Sequence, residues 1–279
     1  SKEKVLLVDD NDAEFYSTAN PSSAKEFIDI LRNEGYCVEY FNQQEQGTPT
    51  PQYLAGFPLI VWSAGDYFNG VINEKDVIAI LNYSGNLLIE GADIALDHSN
   101  DTLLKKLIGA EFMNDVLLGN TTQLNLGSHN ITINLSKFGG LSIAKNNSPF
   151  PDAVDAIGGD IIAEWPDGSA AIIATKPNKT KDNKKAYYTF SIDGISNEDA
   201  LETFVLDTIL WLLENPNNPP QLHNLTNTTL NEGENLALLI NASDIDGDGL
   251  LYSMTGLPFG ASFDNATSTI NWLTDFEDS

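Results

Sequence analysis

The chain has 279 residues, 42% of them apolar, enough for one large domain and a smaller one. Its 40 acidic residues against 14 basic ones give a formal charge of −26, which argues against nucleic acid or anionic membrane as partners, because both attract positive charge. No apolar run reaches the ~18 residues of a membrane helix, and a single cysteine excludes a disulfide framework.

"KVLLVDD", residues 4–10, reads as a buried parallel strand that ends in an acidic pair, Asp9 and Asp10. The carboxyl end of such a strand is where open α/β sheets keep their ligands. "PSSAKEFIDILRNEG" predicts a helix, with Ser23 and Glu26 as capping box, Ala24, Phe27, Ile28 and Leu31 as apolar stripe and Gly35 as stop. "YCVEYF" is the next strand, and "FPLIVWSAGDYF" a buried one that ends in a Gly65-Asp66-Tyr67 loop. "NEKDVIAILNYSG" repeats the helix logic, with Asn73 as cap, Val77, Ile78, Ile80 and Leu81 as apolar positions and Gly85 as terminator. "NLLIEGADI" is a fourth strand running into a turn at Gly91. This alternation predicts an α/β fold, a doubly wound three-layer sandwich with a mainly parallel sheet.

Residues 111–150 are expected to form a β-rich insertion, with "TTQLNLG" and "NITINLS" as short β pieces and "KNNSPFP" as a loop. "DIIAEW", "AAIIAT" and "KAYYTFS" then predict a meander at the sheet edge. The closing helix, "SNEDALETFVLDTILWLLE", sets Leu201, Phe204, Val205, Ile209 and Leu212 on one side. "NPNNPP", residues 215–220, is the expected linker between an α/β domain over 1–214 and an all-β domain over 221–279. The latter has the texture of an Ig-like sandwich, which needs about 100 residues. The chain is therefore expected to stop inside its second domain.

Residues of three chemistries occur in the chain. Asp9, Asp10 and Asp66, with Lys176 before Pro177, resemble the acidic pair, phosphoacceptor and Lys-Pro of a receiver domain. A receiver packs these into about 120 residues, so the spacing makes it a remote alternative. For nucleophilic catalysis, the order strand, helix, strand, helix, "NLLIEGADI" resembles the class I glutamine amidotransferase-like superfamily, whose fourth strand leads into a nucleophile elbow. Here the elbow reads Glu90-Gly91-Ala92-Asp93, with alanine or aspartate in place of the thiol. Cys37 sits in a strand as a small buried hydrophobe, His98, His129 and His223 have no thiol partner, and Ser63 and Ser191 lack a Gly-x-Ser-x-Gly elbow. The resemblance narrows to the non-catalytic amidotransferase-like modules of exported prokaryotic proteins and covers about residues 4–214. It implies a flavodoxin-like scaffold without catalytic residues. Asp9, Asp10, Asp66, Tyr67, Glu90 and Asp93 remain as candidates lining the strand-end cleft, where they are either solvated loop acids or hold a cation or ligand.

The third chemistry is calcium. "ASDIDGDGLLYSMTGLPFGASFD" resembles the Ig-like and cadherin-like repeats of surface proteins, and its alternate acids Asp244, Asp246 and Asp248 suit a hard cation. Glu232, Glu234 and Asp275 are further candidate ligands. Position 255 is Thr255, where an EF-hand needs Glu, so the loop is not one. The alternative is a polar hairpin turn with no ion.

The sequence also carries 11 Asn-x-Ser/Thr sequons, among them Asn82, Asn100, Asn120, Asn130, Asn134, Asn224, Asn227, Asn241 and Asn265, where chance gives about four. They point to export and glycosylation. The start of the chain carries no apolar signal core, so an export signal is expected to have been removed. The expected function is a non-catalytic structural, adhesive or ligand-binding module of a cell-surface protein. It would partner other surface proteins or envelope components, require no cofactor beyond possible calcium, and insert in no membrane. The alternatives are an accessory domain of a secreted protease or other hydrolase, and metal-assisted hydrolysis at the acids near Asp9.

Overall fold

The computed structural model describes residues 2–10, 23–66, 72–100, 102–145, 148, 151–175, 183–214, 221–223, 225, 227–243, 250 and 252–274. The described residues up to 214 form one compact unit and those from 221 a second.

The first unit opens with β1 (Lys4–Asp9), α1 (Ser23–Asn33), β2 (Cys37–Asn42), the short α2 (Gln43–Gln46) and α3 (Pro51–Leu54), β3 (Leu59–Gly65), α4 (Glu74–Leu81) and β4 (Asn86–Gly91). The strands lie parallel in the order β2-β1-β3-β4. Leu7 stands opposite Tyr40 and Val61, and Val61 opposite Leu88. Successive side chains leave opposite faces of a strand. Val5 and Leu7 therefore join one core with Ala24, Phe27 and Leu31 of α1, while Leu6 and Val8 join another with Ile60, Trp62 and the α4 residues Ala79 and Ile80. Two cores on the two faces of one sheet make the three-layer α/β sandwich.

Local signals set most of the helix ends. Gly35, at φ 90°, lets the Tyr36 amide reach back to the Leu31 carbonyl at 2.9 Å. Asn73 and Asp76 cap α4 reciprocally, but the helix ends at Leu81 with Asn82 as its cap, not at Gly85. Ile78 is 59% exposed, because two turns of helix present only a narrow stripe to the sheet. Ser23 is not a cap either. It is the first helical residue, and its hydroxyl turns to the strand ends.

Next come α5 (Ile94–Asp97), α6 (Leu103–Leu107), β5 (Ala110–Asp115), β6 (Thr121–Gln123), β7 (Asn125–Leu126), β8 (Ser142–Ala144), β9 (Asp152–Ala156), β10 (Asp160–Glu164), β11 (Ala170–Ala174), β12 (Lys185–Tyr188) and α7 (Glu198–Leu213). The expected edge meander needs correction. β12 lies inside the sheet, parallel to β4 with Ala186 opposite Leu88, and antiparallel to β11 with Tyr187 opposite Ile173. β10 and β7 extend the antiparallel side. Residues 130–136, expected as β, form a turn that leads into a 3₁₀ turn over Leu135–Phe138. Ile131 and Leu135 are both fully buried, and their spacing of four is helical.

All five expected α7 residues are buried, and Asn197 caps its start by accepting from the Ala200 amide at 2.9 Å. Lys184 closes the other end. Its ammonium donates to the carbonyls of Trp211 and Glu214 at 2.6 and 2.5 Å, where the helix dipole favours a cation.

The second unit holds β13 (Gln221–Leu222), β14 (Asn235–Leu239), β15 (Ala242–Ser243), β16 (Ser262–Asp264) and β17 (Thr269–Leu273). They form two small antiparallel sheets, β13-β15 and β14-β17-β16. Overall the protein is an α/β fold with an additional β unit. Among the described residues no helix is long and apolar enough to cross a membrane.

Candidate functional site

The strand order changes direction between β1 and β3, and doubly wound sheets keep their ligand crevice at such a switch point. The Asp10 amide donates to the Ser63 carbonyl at 2.9 Å, tying the two strand ends together. Residues 11–22 and 67–71, which follow these strands, lie outside the described residues, as does the candidate Tyr67.

Both acids of the opening pair accept hydrogen bonds from the scaffold. Asp9 accepts from the Tyr40 hydroxyl at 2.7 Å. Asp10 Oδ2 accepts from Trp62 Nε1 and from the Ile72 amide, both at 2.9 Å. Ile72 has φ 55°, a strained conformation for a β-branched residue, and the Asp10 carboxylate helps to hold it there. Replacing Trp62, which is fully buried, by phenylalanine removes the indole donor from Asp10. Urea denaturation of this variant is expected to show a loss of about 1–3 kcal/mol.

Glu90 sits at the end of β4 and is fully buried. Its Oε2 accepts from the Ser63 hydroxyl at 2.8 Å and the Ser23 hydroxyl at 3.1 Å, and its Oε1 accepts from the Ile192 amide at 2.7 Å. The Gly65 backbone is a further donor. Burial outweighs these bonds and pushes the Glu90 carboxyl up to about 7. Two more acids share its field. Burial and the neighbouring Glu90 push Asp66 up to about 8, and the same causes do so for Asp193, in the 3₁₀ turn after β12. Asp66 is held by Ser148, whose Oγ accepts from the Ser191 amide at 3.1 Å. Three carboxyls at one sheet edge therefore hold protons near neutral pH.

The turn after β4 has the shape of an elbow. Gly91 has φ 153°, and a Cβ there would lie 2.9 Å from that of Ala64. The Ala92 amide donates to the Gly65 carbonyl at 2.9 Å. Asp93 then takes the left-handed conformation, φ 57° and ψ 2°, directly before α5. A non-glycine residue held this way is a strained position of the kind that functional sites keep. Its side chain is a carboxylate, nearly buried, and burial followed by repulsion from Asp115 and Asp97 pushes it up to about 7.

Cys37, expected to be a buried hydrophobe, is instead exposed, at the first position of β2. His129 packs edge-on against Trp211, at 5.2 Å between ring centres, and His223 belongs to the second unit. Ser63 spends its hydroxyl on Glu90 and Ser23, and both Ser63 and Ser191 are fully buried. Of the sequence candidates, Asp66, Glu90 and Asp93 interact electrostatically, whereas Asp9 and Asp10 turn to structural donors. Asp244, Asp246, Asp248 and Asp275 lie outside the described residues.

Sequence reasoning missed Asp115, Asp152 and Asp193. Asp152 begins "DAVDA", whose alternation was a strand signal hidden beside the Pro-rich "SPFP". Asp193 carried no local signal, since only the pairing of β12 with β4 brings it to this edge.

No protein-family model matches the sequence, and no curated protein matches it. Solved structures do. A ThuA-like protein from Bacteroides uniformis aligns over 76% of this chain and 91% of its own, with TM-score 0.52 and 10% identity. The amino-terminal domain of mmIFT52 aligns over 75% of this chain and 96% of its own, with TM-score 0.51 and 14% identity. An exo-β-1,4-mannosidase from Opitutaceae bacterium strain TAV5 aligns over 75% of this chain, with TM-score 0.46 and 13% identity, and the chain spans 36% of that enzyme's length. Identities this low speak of fold alone: the chain shares an α/β fold with ThuA-like proteins, whose fold is glutamine amidotransferase-like, and this is consistent with such a module.

Proposed function

We propose that the chain is a non-catalytic ligand-binding or adhesive module of an exported cell-surface protein, with a nucleophile-free amidotransferase-like unit followed by an Ig-like, calcium-binding repeat. The observation that carries this reading is the elbow. A carboxylate, Asp93, occupies the strained position before α5, where acyl transfer needs a thiol or hydroxyl. Both oxygens of the neighbouring Glu90 already accept protein hydrogen bonds, which leaves this acid poorly placed to serve a substrate. Export rests on the sequons and on the acidic surface, which suits hydrated display. Calcium in the second unit rests on the spacing of Asp244, Asp246 and Asp248.

Purified protein is expected to release no ammonia from glutamine and to be labelled by thiol probes only at exposed Cys37. Ammonia release that disappears in Asp93→Asn would overturn the non-catalytic reading. Antibody labelling of intact source cells tests display, and retention inside the cell argues against it. In the full reading frame, further Ig-like repeats and an anchor are expected, whereas an adjoining protease domain would favour the accessory role.

A further inference from the structure

Beside the elbow, β5 and β9 run antiparallel with Asp115 directly opposite Asp152. Like charges placed opposite each other across two strands are destabilising. Asp93 brings a third carboxylate to the same place, and one ligand oxygen from each of the three lies within 4.8 Å of the others. Among the described residues no ion pair reaches any of them. Asp152 is fully buried, and only one of its oxygens is used. Oδ2 accepts from the Ala95 amide at 2.7 Å and from the Tyr187 hydroxyl at 3.5 Å, while Oδ1 has no hydrogen-bond partner. A buried carboxylate oxygen left unsatisfied costs about 1–3 kcal/mol. Here that oxygen belongs to an acid facing two others, which calls for a positive charge.

The surroundings fix this geometry. The first turn of α5 holds Asp152 through its backbone amides, and Trp165 Nε1 donates to the Asp152 carbonyl at 3.0 Å. Asp115, by contrast, is exposed at the end of β5, so the group opens to water on one side. From this arrangement we infer that Asp93, Asp115 and Asp152 bind a hard divalent cation, with solvent completing its coordination. Calcium suits it best. Calcium takes about 6–8 oxygen ligands in flexible geometry, which fits three carboxylates fixed by the scaffold with water on the open side, whereas magnesium demands a near-ideal octahedron. This site is independent of the proposed loop in the second unit and of the non-catalytic reading. It places a cation against the strained elbow, where binding would fix Asp93.

Terbium is a suitable probe, because Trp165 lies against Asp152 and can sensitise its emission on tryptophan excitation. In the full chain, terbium is expected to luminesce, and calcium to displace it more effectively than magnesium. Asp115→Asn, an exposed change that leaves the fold intact, should weaken this signal about tenfold or more, and Asp152→Asn should do the same. The combined Asp244→Asn, Asp246→Asn and Asp248→Asn variant should retain it. Without metal, Asp115→Asn is expected to raise the melting temperature, because the repulsion is relieved, and calcium should then add no further rise from this unit. A signal unchanged in Asp115→Asn but lost in the second-unit variant overturns the proposal, as does a calcium response equal in wild type and Asp115→Asn. Displacement by magnesium alone would keep the site and reject calcium as its ion.

Discussion

Replacing Glu90 by alanine is expected to cost about 3–5 kcal/mol. The change empties a fully buried site and leaves the Ile192 amide and the hydroxyls of Ser23 and Ser63 without their acceptor. Glu90→Gln should behave very differently. Its carbonyl can still accept from Ile192, and its amide can donate to serine hydroxyls that turn to accept. At pH 8.5 this neutral variant is expected to be at least as stable as the wild type, because it never has to bury a charge. Urea unfolding followed by tryptophan fluorescence measures both, since Trp62, Trp165 and Trp211 all lie in the first unit. A glutamine variant as damaged as the alanine one would show that the negative charge itself is required.

The second large effect is the pH dependence of stability. Glu90 is held near 7, and Asp66 and Asp193 near 8, whereas unfolded carboxyls titrate near 4. The folded state therefore keeps protons that the unfolded state releases. Stability is fully present below about pH 4 and declines as pH rises through about 7–8. Glu90 alone accounts for roughly 3 kcal/mol over this window. The net charge of −26 acts in the same direction through self-repulsion, but that part is screened by salt and the buried part much less so. The melting temperature in 0.5 M salt (on the order of a few ångströms of Debye length) is thus expected to fall from pH 5 to pH 9. The slope should shrink in Glu90→Gln and further in the Asp66→Asn, Asp193→Asn double variant. A flat profile in the wild type would refute the assignment of protonated acids.

Periodicity and caps revealed the parallel half of the molecule because its information is local. Each strand is a short apolar run, α7 has a continuous stripe, and Asn73 begins α4 as its side chain dictates. What failed was decided at a distance. β12 has no mark in "KAYYTFS" that says parallel to β4 rather than at the edge, since register arises from pairing. Residues 130–136 have β-branched composition, yet the burial of Ile131 and Leu135 made them a turn. The candidate site followed the same divide. Asp9, Asp10, Asp66, Glu90 and Asp93 were visible as polar ends of apolar strands. Asp152 and Asp115 became partners only through the pairing of β9 with β5.

The seam between β4 and β12 also governs how the chain acquires its shape. The donor that Ile192 offers to Glu90 comes from 102 residues downstream, and the Lys184 amide reaches Asn86 across 98. Joining contacts so remote in sequence is slow, because the intervening loop must close before any bond rewards it. While the chain is being synthesised, β4 keeps one flank open until β12 arrives.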